Sequence, residues 1–143
     1  MAERWNAWRT LRGRPEVTFA LRPLPTSFGG AACAQWSDGT AAVVIDPRLG
    51  RRARHEALAH ELIHLERGLP GVHEVPLIEE REEHRVRREV AVRCLPPEML
   101  AGFVRRRLCS DLPVTPRDVA GEFDVTEELA ELALGLLAME DDT

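Results

Sequence analysis

Residues 55–68 read HEALAHELIHLERG, three histidines and three glutamates in fourteen positions. Inside the stretch lies His60-Glu61-Leu62-Ile63-His64, an HExxH pattern. On a helix, residues four apart sit one turn above each other, so both imidazoles can address a single ion. With His60 set at zero, His64 falls at about 40°, Ala53 at about 20° and Ala57 at about 60°, so small side chains flank the imidazoles and leave room for a cation. Leu58, Leu62 and Leu65 gather between about 140° and 200° and anchor the helix in a core. His55 falls near about 220° and is a poor ligand in spite of its nearness in sequence. Glu61, about 100° from His60, can reach a water on the ion. This is the spacing of a zinc (Zn2+) hydrolase, in which the ion acts as a Lewis acid and acidifies water while the glutamate takes the proton. A solvated charged helix is the plain alternative, and it leaves the alanine-lined histidine face without a reason.

A catalytic zinc takes three protein ligands, and the residues after His64 read LERGLPG, with no third histidine in an HExxHxxGxxH pattern. The acidic run EVPLIEEREEHRVRREVAVRCLPP is the source of candidates: Glu79, Glu80, Glu82, Glu83 and Glu89. Val86, Val90 and Cys94 recur four apart and mark the inward face of a second helix. Glu83 shares that face, and Glu89 points away with Arg85 and Arg93. A carboxylate on an apolar stripe is costly unless it meets a cation. Glu83 is therefore the expected third ligand and Glu79 the reserve.

Working outward, AERWNAWRTLRG predicts a short helix ended by Gly13 and Pro15, and EVTFALRP a first strand. A short strand through Ala32–Trp36 leads to Asp38-Gly39, a hairpin turn signal, and then to the apolar strand TAAVVID at 40–46. That strand fits either an edge, where an extended peptide substrate could add beside it, or the interior of a sheet. The HExxH helix runs from after Gly50 to about Arg67, and a second helix from about Glu79 to Leu95. EMLAGFVRRRL, PRDVAGEF and EELAELALGLLAM follow as helices. Strands first and helices after predict an α+β fold, a small antiparallel or mixed sheet packed on the HExxH helix.

The chain has 143 residues, room for one folding unit with a real core. Its formal net charge is -5, which argues against general affinity for nucleic acid. The C-terminal segment DVAGEFDVTEELAELALGLL has a faint helix-turn-helix pattern but is acidic, which favours helical packing or partner recognition over DNA. Cys33, Cys94 and Cys109 are odd in number and lack a CxxC pair, so neither a disulfide framework nor a cysteine zinc site is expected. No N-terminal apolar region or membrane-length run occurs, and the expectation is a cytoplasmic protein with no membrane partner. Trp5 and Trp8 are expected to pack against the domain. The chain contains no tyrosine, so an oxyanion-stabilising role is left to His73, His84 or nearby arginines.

LAHELIHLERG followed by EEHRVRREVAVRCLPP resembles the ImmA/IrrE-type metallopeptidases, particularly actinobacterial and phage members with an apolar strand ending IDPRL before the HExxH helix. The likeness covers about residues 4–108, leaving a C-terminal helical extension over about 109–143. Val86, Arg87 and Glu89 depart from the family's usual residues. The resemblance implies a gluzincin-like core, His60, His64 and Glu83 as zinc ligands, and Glu61 as catalytic acid/base. It further implies an endopeptidase acting on a protein substrate such as a phage or mobile-element helix-turn-helix repressor. A catalytically silent relative that binds a repressor partner is the alternative.

Overall fold

β-branched and small apolar residues in short runs, punctuated by glycine and proline, give three five-residue strands: β1 (Val17–Leu21), β2 (Ala31–Gln35) and β3 (Ala41–Ile45). The computed structural model describes residues 4–68 and 76–141. The strands form one mixed sheet in the order β1-β3-β2. β1 pairs parallel with β3, Val17 opposite Ala41 and Leu21 opposite Ile45, while β2 pairs antiparallel with β3, Cys33 opposite Val43. TAAVVID is thus the central strand. The edge position that its sequence equally allowed belongs to β1 and β2, because β3 has a partner on each side.

The Asp38-Gly39 signal does close a hairpin. Trp36 donates its amide to Thr40 at 2.9 Å, Gly39 takes φ 90°, and the Asp38 carboxylate accepts from the Thr40 amide at 3.0 Å. A positive φ is where glycine alone carries no Cβ penalty. Along β3, Ala41, Val43 and Ile45 are buried and alternate with the half-buried Ala42 and Val44, the period-two pattern of a strand with one face on the core.

Among the described residues the chain also forms six α-helices. α1 (Ala7–Arg12) starts later than the sequence suggested, because Asn6 adopts an extended backbone and caps it, its side chain accepting the Arg9 amide at 3.1 Å. Trp8 packs edge-on against Phe19 of β1, with centroids 5.2 Å apart. α2 (Arg51–Glu66) is the HExxH helix; it packs on β2 and β3, and α1 packs on it. Leu58, Ala59, Leu62 and Ile63 are its buried apolar residues, so the contact face extends beyond the leucine stripe, and Leu65 is only half-buried. Gly68, at φ 75°, follows the helix end. α3 (Pro76–Cys94) begins three residues before the expected Glu79, its first residue a proline, which a first helical turn tolerates.

The chain divides into two compact units. Asn6–Val90 holds the sheet, α1, α2 and most of α3. The other begins at Ala91, inside α3, includes Arg4 and Trp5, and contains α4 (Pro97–Cys109), α5 (Pro116–Phe123) and α6 (Glu127–Asp141). Here α6 packs on α4 and α5, and Phe103 meets Phe123 edge-on at 5.5 Å. Thr115 and Asp118 form a reciprocal capping box at the start of α5. Arg4 donates twice to the Cys94 carbonyl, at 2.8 and 3.1 Å, and the Arg93 guanidinium lies 5.4 Å from the Trp5 ring centre.

Candidate metal centre

The turn into α2 is fixed by a buried carboxylate. Asp46, at the end of β3, accepts from the Leu24 amide at 3.0 Å, from the Arg48 amide and Nε at 2.9 Å each, and from Arg48 Nη2 at 2.5 Å. These hydrogen bonds, those from Arg48 foremost, hold its pKa well below the usual carboxylate range. The entry of the helix is braced again by Arg54, whose Nη2 donates to the carbonyls of Pro47 and Leu49 at 3.0 and 3.2 Å.

From this anchored start, helical geometry brings His60 and His64 together. Their ring centroids are 4.6 Å apart at an interplanar angle of 81°. Glu83 of α3 spans the pair, its Oε1 meeting Nε2 of His60 and its Oε2 lying 3.2 Å from Nε2 of His64. One ligand atom from each of the three residues lies within 4.8 Å of the others. His64 is 8% exposed and Glu61 7%. Nδ1 of His60 lies 3.4 Å from Oε1 of Glu61.

The electrostatics of the cluster follow from this geometry. Burial is the largest single influence on His60 and disfavours its charged form, but hydrogen bonds and charge from Glu61 and Glu83 outweigh it together and push the pKa up to about 9. Hydrogen bonds from His60 and His64 hold Glu83 well below the ordinary carboxylate range. Two imidazoles and one carboxylate are the donor set that a divalent cation accepts, and their convergence means that this group could hold a metal ion. A ligating histidine ordinarily donates its other ring N–H to an acceptor; among the described residues, the buried Nδ1 of His64 has none.

The remaining candidates are elsewhere. Glu82 pairs with Arg67 just past the end of α2, through Arg67 Nε and through Nη2 at 3.0 Å, a two-pronged contact that ties the second helix to the first. Glu80 is exposed, Glu89 is half-buried, and neither joins the cluster. The Glu79 side chain and His73 lie outside the described residues, and His84 is exposed. His55 accepts the Ala7 amide on Nε2 at 3.0 Å, which agrees with its exclusion as a ligand.

One residue of the site had no signal in the sequence. Burial, and after it the negative charge of Glu61, push the Cys33 thiol of β2 well above its ordinary range. Strand alternation sets Cys33 on the same side of β2 as the buried Ala31, but no spacing rule connects a strand residue to a helix residue so far along the chain.

No protein family's sequence profile matches the chain, and no curated protein matches it either. Among the described residues, no helix is long and apolar enough to cross a membrane.

Proposed function

We propose that the protein is a zinc-dependent endopeptidase of the ImmA/IrrE type, with His60, His64 and Glu83 as ligands, Glu61 as catalytic acid/base and a gluzincin-like core. The observation that carries this reading is the meeting of both HExxH imidazoles with a carboxylate from the next helix, beside a second, buried carboxylate. Zinc at these donors would supply a Lewis acid that polarises a carbonyl and acidifies water. Glu61 then takes the proton of the attacking water on a carboxylate oxygen and passes it to the departing amine. With β3 in the sheet interior, an extended substrate would add to an edge strand, and β2 is the edge that packs on the HExxH helix.

By resemblance, the substrate is a helix-turn-helix repressor of a phage or mobile element, met in the cytoplasm. The test pairs metal content with cleavage. Purified protein should hold one zinc per chain and cut a helix-turn-helix repressor nominated by its gene neighbourhood, and Glu61→Gln should keep the zinc and lose the cutting. Zinc retention without cleavage, with no cellular effect of Glu61→Gln, would replace this reading with that of a silent repressor-binding relative.

A further inference from the structure

Glu83 is not the only side chain of α3 that reaches α2. Arg67, the C-cap of α2, lies three positions after His64, so its side chain leaves the helix on nearly the same side as that imidazole. Its backbone is fixed by an amide bond to the Ile63 carbonyl at 3.0 Å. Its guanidinium holds both oxygens of Glu82, Nε on Oε1 and Nη2 on Oε2 at 3.0 Å, with both side chains partly withdrawn from solvent. The same turn of α2 is held by Arg14, whose Nη2 lies 2.5 Å from Oε1 of Glu66.

Consecutive residues on a helix differ by about 100° and 1.5 Å, so Glu82 and Glu83 are two carboxylates that a modest roll and slide of α3 would exchange at an ion. Arg67 settles the choice. Its planar fork fixes the direction of the Glu82 carboxylate and compensates its charge, which leaves Glu83 as the one that spans His60 and His64. We infer that Arg67 is a positioning residue for the metal centre: through its two-pronged contact with Glu82 it sets the register of α3 and so places Glu83 as the third ligand. The sign of its effect separates this role from plain electrostatics. A guanidinium beside a dication site repels the ion, so on charge alone its removal tightens zinc binding, whereas loss of a positioning contact loosens it.

The inference rests on the zinc-binding part of the proposed function, and chelator competition with zinc on the full chain tests it without any cleavage. Arg67→Met should weaken zinc binding about fivefold, the upper end for a partly exposed ion pair. Arg67→Lys keeps the charge and loses the fork, so it should weaken binding about two- to threefold where charge alone predicts no change; it carries the test if Arg67→Met does not fold. In a Glu83→Gln background Arg67→Met should cost nothing further, because Arg67 acts through that carboxylate. A contact that serves stability alone would lower the melting temperature and leave the zinc affinity of the folded protein where it was. Unchanged or tighter zinc binding in both Arg67 variants, beside a Glu83→Gln variant that has lost affinity, would overturn the inference and leave the metal reading standing. A loss that persists in the Glu83→Gln background would overturn it as well. A wild type that takes up no zinc would bring down the metal reading and the positioning role together.

Discussion

The two compact units bury different things. In Asn6–Val90, Asp46, Glu61 and His64 are buried alongside the apolar core. In the helical unit from Ala91 onward, the buried residues among those described are apolar: Leu95, Leu100, Phe103, Val119, Phe123, Val125 and their neighbours. Burying an ionisable group costs free energy unless it is paired, and a fold gains nothing in stability from doing so without need. Asp46 repays its cost by bracing the turn into α2. His64 meets Glu83 of α3 and Glu61 lies beside His60, and buried ionisable groups gathered in this way are candidates for a chemical role.

The contrast breaks first at Glu61. Glu61→Gln should lower the rate about a thousandfold, within the span of lost general-base catalysis, while thermal unfolding shows stability unchanged or raised, since a buried charge has gone. A loss of stability instead would make Glu61 a structural residue like Asp46. Glu83→Gln comes next: zinc affinity, measured by chelator competition, should fall about a hundredfold or more, and Glu89→Gln should leave it alone. The reverse result would shift the ligand register along α3.

In the helical unit the expected response is purely one of stability. Phe103→Ala should cost about 3 kcal/mol in denaturant unfolding, the cost of truncating a buried aromatic, with zinc affinity unaltered. A drop in zinc affinity would show that the two units are not energetically separate.

Smaller effects come from pH. In metal-free protein, His60 is raised from 6.5 to about 9, so its pairing stabilises fully below pH 6.5 and is lost as pH rises through about 9. Glu83 is lowered from 4.5, so its share is present above pH 4.5 and is lost as pH falls. Because the two shifts describe one contact, the melting temperature should be highest between those limits and decline towards pH 9. Zinc must displace the His60 proton, so zinc affinity should climb about tenfold per pH unit across 7–9. A flat affinity profile would remove His60 from the ligand set.

Much of the site-bearing unit was legible because its signals are local. HExxH spacing is a statement about one helical turn, and Asp38-Gly39 about one hairpin, so neither waits on tertiary structure. The register of Glu83 was legible for a similar reason, since Val86, Val90 and Cys94 define a face whichever partner covers it. Strand order was not. An alternating five-residue run such as Ala41–Ile45 serves equally at an edge or in the middle, and the decision lies in pairing with Val17–Leu21, far off in sequence. The start of α1 was misjudged because Trp5 and Trp8 keep helical spacing while Asn6, between them, caps the helix. The influence of Glu61 on Cys33 was invisible because the two lie on different elements.

The pairing of Arg67 with Glu82 has a consequence for how this architecture can vary. Glu82 and Glu83 are adjacent, so a clamp on the first fixes where the second falls, whatever the connection between the helices contributes. The position of Glu83 thus has a second hold besides the helix that carries it, an ion pair anchored on the last turn of its neighbour.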